Sequence, residues 1–165
     1  MTTKKTNLSD HNPTQVPSGS ERRIAIAVAE WNAEITESLL RGAYETLLQY
    51  DTLEENIVVV HVPGSFELTT AADRILSVDT EVDAVICLGC VIQGETRHFD
   101  FICEAVANGI TQVSLKHGKP VIFGLLTTNN MQQAIERSGG RHGNKGVEAA
   151  VTALKMCKLF DKEIK

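Results

Sequence analysis

The segment 94–98, GETRH, combines residue types that bind an anion with one that moves protons. Gly94 lets a ligand approach the backbone, and the amides of Glu95 and Thr96 are expected to point outward at a helix start. Free N–H groups and the helix dipole favour a phosphate there. His98 adds an acid–base group, because imidazole gains or loses a proton near neutral pH. The alternative is a turn that the histidine merely caps.

A second candidate phosphate site is the glycine-rich segment 136–146, ERSGGRHGNKG, which carries Arg137, Arg141 and Lys145. The planar guanidinium of Arg137 could close on a phosphate through two parallel hydrogen bonds. A solvated loop with ordinary surface cations would have the same composition. Neither segment matches a Walker loop or the dinucleotide-binding glycine fingerprint, so the sequence does not support nucleotide binding.

Two further stretches suit a flat, polar ligand. Trp31, the only tryptophan of the chain, could stack on a heterocycle and contribute about 1 kcal/mol. It could equally belong to the core or to an interface. In the segment 63–67, PGSFE, backbone amides at a helix start and the nearby Glu67 could hold hydroxyl and amide groups. A turn with a helix cap would also explain these residues.

These segments follow apolar runs of strand length, which alternate with stretches of helical periodicity. The predicted strands span 22–31, 56–64, 82–92 and 120–128. The predicted helices span 33–50, 65–77, 98–118, 130–140 and 147–160, and the stretch 139–146 is predicted to be a loop. Nearly continuous apolar strands indicate a parallel sheet covered on both faces. The predicted fold is an α/β three-layer sandwich, flavodoxin-like, with a four-stranded parallel sheet flanked by helices.

The strand order along the chain also predicts where a ligand binds. Ligands of an open parallel sheet bind beyond the carboxyl ends of its strands. Trp31 and the segments 63–67 and 94–98 each lie at the end of a predicted strand or just beyond it. We therefore expect them at one edge of the sheet.

Length and charge limit the classes of function. The chain has 165 residues, which suits one domain, here predicted over 22–165 after a flexible N-terminal arm over 1–21. Sixteen Lys and Arg against 21 Asp and Glu argue against binding to nucleic acid or to anionic membranes. No stretch is long and apolar enough to span a bilayer or to serve as a secretory signal, which predicts a cytoplasmic location.

The pair Cys87 and Cys90 has the spacing of a redox or zinc motif. Both residues lie within a predicted strand, where side chains three positions apart point to opposite faces. No second pair of ligands accompanies them. We therefore expect buried thiols and no metal site.

Six segments in sequence order, AEWN, VPGSFEL, LGCVIQGETRHFDFIC, PVIFGLLTT, QAIERSGG and GNKG, closely resemble the lumazine synthase family from about Arg22 to Leu159. The resemblance implies a transferase of riboflavin biosynthesis, acting at the penultimate step. It would condense 5-amino-6-(D-ribitylamino)uracil with 3,4-dihydroxy-2-butanone 4-phosphate to 6,7-dimethyl-8-ribityllumazine, phosphate and water. The family needs neither a metal nor an organic cofactor.

The resemblance also implies a role for each site residue. Ribitylaminouracil would be bound by Trp31, Ser65, Phe66, Glu67, Cys90, Val91, Ile92 and Phe123. Of these, Phe123 would come from a neighbouring subunit. Butanone phosphate would be bound by Glu95, Thr96 and Arg137. His98 would be the catalytic proton donor and acceptor, and Lys145 and Glu148 match further site positions.

For assembly, the resemblance implies a homopentamer with active sites at subunit interfaces, and possible association with riboflavin synthase. The uninterrupted segment 139–146 favours pentamers that close into an icosahedral shell, whereas Pro13 and Pro17 disfavour the added N-terminal strand of many shell formers. Two other functions stay open. One is a non-catalytic flavin- or lumazine-binding or cage protein, and the other is a sugar-phosphate isomerase.

Overall fold

A computed structural model describes residues 7–161 of the chain. Its helices are α1 Ala33–Gln49, α2 Leu68–Val78, α3 His98–His117, α4 Met131–Arg137 and α5 Lys145–Phe160. Its strands are β1 Ile24–Ala29, β2 Ile57–Val62, β3 Ala84–Ile92, β4 Val121–Thr128, β5 Ser138–Gly140 and β6 Gly143–Asn144. Short 3-10 turns span Pro13–Gln15, Glu54–Asn56 and Ser65–Glu67.

The first four strands form one parallel sheet in the order β2-β1-β3-β4. Helices α1, α4 and α5 contribute to the apolar cluster on one face, and α2 and α3 contribute to the cluster on the other. Side chains of β3 alternate between them, with Ile86 and Leu88 on one side and Val85 on the other. This confirms the predicted three-layer α/β/α fold and explains why the strands are apolar almost throughout.

The two cysteines of β3 lie on opposite faces of the sheet, as predicted. Cys87 packs with α2 and α3, whereas Cys90 packs with α1 and α5. Burial raises the pKa of the Cys87 thiol to about 12. Within residues 7–161, no group of three or more His, Cys, Asp or Glu side chains is arranged to hold a metal ion.

The stretch 139–146 differs from the predicted loop. Strands β5 and β6 pair antiparallel there, so helix α4 ends at Arg137 and helix α5 begins at Lys145. Gly143 has a φ of 85°, a left-handed value that glycine adopts without strain. The glycine spacing therefore makes a tight two-stranded hairpin, which we name the α4–α5 hairpin and define as residues 138–144.

Part of the predicted arm, residues 7–21, lies along the domain. The Gly19 N–H donates to the Tyr50 carbonyl at 2.6 Å, and the His11 ring contacts the Tyr50 hydroxyl at 2.8 Å. Pro13 opens a 3-10 turn there. The flexibility of the arm stays a prediction, and its first six residues lie outside the described range, as do residues 162–165 at the other end.

No helix within the described range is both long and apolar enough to cross a bilayer. The cytoplasmic location expected from the sequence stays a prediction.

Helices α1 and α5 approach each other closely at Gly146. A Cβ at this position would lie 1.9 Å from the backbone oxygen of Leu39, an atom that cannot rotate away. We expect Gly146→Ala to lower the free energy of unfolding by about 2 kcal/mol, because the helices must move apart. The matched control is Gly94→Ala, since a Cβ there meets no atom within 4 Å. Urea unfolding measures both variants, and equal midpoints would contradict the expectation.

Candidate active site

A cleft of about 290 Å³ opens at the carboxyl edge of the sheet. Its walls come from the residues that follow β1 and β2, the last residues of β3 and the first turn of α3. The residues that line it are Trp31, Asn32, Ser65, Phe66, Cys90, Val91, Ile92, His98 and Ile102. Segments far apart in the sequence therefore meet where an open parallel sheet binds its ligands.

Trp31 provides the flat wall of the cleft. Its side chain is 68% exposed, and the indole lies over Gly64, within 2.7 Å of the place where a Cβ would stand. Asn32, between β1 and α1, has a left-handed backbone conformation with a φ of 60°. Its Nδ2 donates to the Cys90 carbonyl at 2.9 Å. One face of the indole is thus supported by the protein, and the exposed surface is available for stacking.

The turn after β2 provides polar and aromatic groups. Residues Ser65–Glu67 form a 3-10 turn, and the regular helix begins at Leu68 instead of at position 65 as predicted. Ser65 is buried and Phe66 is 54% exposed. Within the described residues, the buried Oε2 of Glu67 has no hydrogen-bond partner. An acceptor without a partner is costly when buried.

The end of β3 forms the floor of the cleft. Cys90 is only 4% exposed, and Val91 and Ile92 are half-buried beside it. Burial raises the pKa of the Cys90 thiol to about 11, so the thiol stays protonated at neutral pH. A protonated thiol is a poor nucleophile. Cys90 therefore acts as a small apolar wall.

The loop between β3 and α3 carries the predicted phosphate and proton-transfer groups. His98 is exposed at the first position of α3 and lines the cleft together with Ile102, one helical turn later. Glu95 and Thr96 are exposed in the loop. Among residues 7–161, no acceptor lies opposite their backbone N–H groups. The loop thus presents free donors close to an imidazole.

Seven of the predicted site residues do not line this cleft. Glu67, Glu95 and Thr96 lie in the turn and the loop that adjoin it, and the other four form a second group. Phe123 lies five residues before the end of β4, about 16 Å from the carboxyl edge. Lys145 and Glu148 occupy the first turn of α5 and line a separate groove of about 310 Å³ with Phe123. Arg137 pairs with the carboxylate of Glu148. We name Phe123, Arg137, Lys145 and Glu148 the second group.

The charges of the second group satisfy one another. Glu148 accepts from Arg137 Nη2 at 2.8 Å and from Lys145 Nζ at 3.1 Å. Arg137 Nη1 also donates to the His142 carbonyl at 2.7 Å. These contacts use two of the five guanidinium N–H donors, and the other three have no protein acceptor within residues 7–161. Arg137 is therefore not among the cleft-lining residues of its own chain, although it was predicted to bind the same phosphate as Glu95 and Thr96.

Comparison with known proteins shows the family of the chain. The family model described as 6,7-dimethyl-8-ribityllumazine synthase matches residues 21–161. The chain belongs to this family. It is 57% identical to the 6,7-dimethyl-8-ribityllumazine synthase of Porphyromonas gingivalis, over 96% of this chain and 98% of the relative. It is 58% identical to that of Cytophaga hutchinsonii, over 94% of this chain and 97% of the relative. The resemblance read from the sequence is confirmed.

Two residues that line the cleft were not predicted, Asn32 and Ile102. Asn32 had a readable signal, because asparagine after a strand and before a helix is among the few residues that tolerate a left-handed backbone. Ile102 had none. Its place follows only from helical spacing, four positions after His98, once the helix start is known.

Proposed function

We propose that this chain condenses 5-amino-6-(D-ribitylamino)uracil with 3,4-dihydroxy-2-butanone 4-phosphate, giving 6,7-dimethyl-8-ribityllumazine, phosphate and water. The observation that carries the proposal is the cleft itself. The cleft combines an exposed indole with an imidazole. The adjoining turn holds the unpartnered carboxylate oxygen of Glu67, and the adjoining loop holds free backbone N–H groups. These are the groups that a flat, hydroxylated amine and a small phosphorylated ketone require.

The ribitylaminouracil side is proposed to use the floor and walls of the cleft. The pyrimidine ring stacks on Trp31 and packs against Cys90, Val91 and Ile92. Glu67 Oε2 accepts from a ring or ribityl donor, which relieves its missing hydrogen bond. Ser65 and Phe66 line the same cleft and bind the remaining polar and apolar parts of this substrate.

The phosphate of the ketone is proposed to bind at the free N–H groups of Glu95 and Thr96. The start of α3 adds a favourable dipole there. This position places the ketone carbonyl beside His98, between the phosphate site and the stacked amine.

Arg137 and the rest of the second group are proposed to act on the cleft of a neighbouring copy. Within one chain they lie apart from the cleft, yet Arg137 keeps free donors that suit a phosphate. Phe123 is 38% exposed and borders an apolar groove of about 320 Å³ between α3 and β4, whose Leu115 is 78% exposed. Exposed apolar side chains of this kind suit a subunit interface. The number of subunits is proposed from the family resemblance, as a homopentamer with shared sites whose larger form is an icosahedral shell.

The proposed chemistry needs positioning and one proton shuttle. The amine attacks the ketone carbonyl and water leaves as an imine forms. Phosphate then leaves by elimination. The ribitylamino nitrogen attacks the remaining carbonyl and a second water leaves, which closes the ring of the lumazine. Holding two reactants in register supplies several kcal/mol, on the order of 7 or more in favourable cases. His98 takes and returns protons at the imine and at the carbon that loses one during elimination.

The direct test mixes the purified protein with both substrates and follows lumazine absorbance. We expect turnover that depends on both compounds and releases one phosphate per lumazine. Tight binding of lumazine without turnover would favour a non-catalytic flavin- or lumazine-binding protein. Conversion of the ketone phosphate alone would indicate an isomerase.

Stacking on Trp31 predicts a selective effect of its removal. Trp31→Ala is expected to raise the KM for the ribitylaminouracil about fivefold, corresponding to about 1 kcal/mol, while Trp31→Phe keeps most of the affinity. The side chain is 68% exposed, so the unfolding midpoint should stay unchanged. Steady-state kinetics with each substrate varied in turn measures the effect. The control is Phe160→Ala, a 53% exposed aromatic outside the site. An unchanged KM for this substrate in Trp31→Ala would refute the stacking.

Static light scattering of the purified protein separates the proposed pentamer from the shell. A mass near five chains supports the pentamer alone, and a mass many times larger supports the shell. Gel filtration with added riboflavin synthase tests the predicted association with that enzyme.

A further inference from the structure

The N-terminal segment 7–11 lies directly on the α4–α5 hairpin, next to the second group. The Leu8 N–H donates to the His142 carbonyl at 3.0 Å. The same carbonyl accepts from Arg137 Nη1 at 2.7 Å. One backbone oxygen therefore joins the arm to the guanidinium proposed to bind phosphate.

Ser9 makes a second, more extensive contact. Its Oγ accepts from the Asn144 N–H at 2.6 Å and lies 2.9 Å from the Asn144 carbonyl, to which it donates. Glu148 Oε1 is a longer alternative acceptor at 3.4 Å. Asn144 caps α5, since its side chain accepts from the Gly146 N–H. Ser9 thus holds the backbone from which Lys145 and Glu148 project.

The hairpin allows this close approach because Gly143 has no side chain. A Cβ at Gly143 would lie 2.2 Å from Asn7 Oδ1 and 2.3 Å from Ser9 Oγ. His11 holds the segment from its other end. Its Nδ1 donates to the Ser9 carbonyl at 2.8 Å, which leaves Nε2 to accept from the Tyr50 hydroxyl at 2.8 Å in the neutral ring. The arm therefore makes hydrogen bonds to the domain on both sides of Ser9.

We propose that Ser9 is a positioning residue, which holds Arg137 and Glu148 in the geometry that receives the substrate phosphate. The proposal rests on the function proposed above. Arg137 has a long side chain whose orientation depends on two acceptors, the His142 carbonyl and Glu148. The arm contacts both acceptors, through Leu8 and Ser9. Fixing them in advance reduces the ordering that phosphate binding would otherwise require.

The test compares Ser9→Ala, Ser9→Thr and the control Ser18→Ala in the full chain. Ser18 is an arm serine whose hydroxyl contacts Asp51, away from the site. Ser9→Ala is expected to raise the KM for the ketone phosphate about fivefold, with kcat and the KM for the ribitylaminouracil nearly unchanged. Ser9→Thr keeps a hydroxyl and should restore the wild-type KM. Ser18→Ala should match the wild type throughout.

The outcomes separate this proposal from the function on which it rests. Wild-type protein without any lumazine formation overturns the proposed function. Wild-type turnover with an unchanged ketone-phosphate KM in Ser9→Ala overturns only the positioning role. Three other results also overturn the positioning role. The first is an equal rise of the KM values for both substrates in Ser9→Ala, and the second is the same rise of the ketone-phosphate KM in Ser18→Ala. The third is a ketone-phosphate KM in Ser9→Thr as high as in Ser9→Ala. Thermal unfolding of each variant confirms that the compared proteins are folded.

Discussion

Replacing His98 with alanine is expected to lower turnover about 100-fold without abolishing it. The imidazole is the acid–base group that lines the cleft, exposed at the first position of α3. The remaining activity is expected from positioning, because the cleft proposed to hold both substrates in register is unchanged. Single-turnover kinetics of lumazine formation measures the chemical step separately from product release.

The control for His98 is His61→Ala. His61 is an exposed histidine of β2 that pairs with Glu37 at 3.1 Å and lies outside the cleft lining. The His61→Ala variant should have wild-type turnover. Wild-type turnover in His98→Ala would remove this residue from the mechanism.

Replacing Arg137 with alanine is expected to lower kcat/KM for the ketone phosphate about 30-fold, which corresponds to about 2 kcal/mol for a lost charge-assisted contact. The KM for the ribitylaminouracil should change little, since Arg137 is proposed to contact only the phosphate. Steady-state kinetics with each substrate varied measures the difference. Arg141→Ala is the matched control, because this arginine is 63% exposed and pairs with Glu136 at 3.0 Å.

An effect of Arg137→Ala confined to the ribityl compound would contradict the phosphate assignment. Mixed assemblies test the sharing of sites between copies. If His98 and Arg137 act from different subunits, co-assembled His98→Ala and Arg137→Ala chains should regain about a quarter of wild-type activity, since random mixing leaves that share of sites intact. Sites formed within one chain would show no such rescue.

The fold could be predicted because its determinants are local. Strand β1 is six apolar residues in succession, all fully buried, and such a run is typical of a strand covered on both faces. The cleft followed from the same pattern, since the groups around Trp31, Ser65 and His98 each come directly after a strand. The topology rule for open sheets then placed them at one edge.

The second group could not be predicted in the same way. The resemblance implies that Arg137 binds the same phosphate as Glu95 and Thr96, which stays a prediction. In its own chain Arg137 pairs with Glu148. The sequence gives the charged residues but does not show which of them form ion pairs. That choice depends on how α4, the hairpin and α5 pack together, and the hairpin itself was expected to be a loop.

The sequence by itself determined the layers, the order of the elements and the residues at the strand ends, because periodicity and turn chemistry act between neighbours along the chain. Only the tertiary structure decided which side chains share a cleft, which charges pair, and that Ser9 lies on Asn144. Those two residues are 135 positions apart. Their contact exists because the arm folds back along the domain. No local sequence pattern predicts a contact between residues so far apart in the chain.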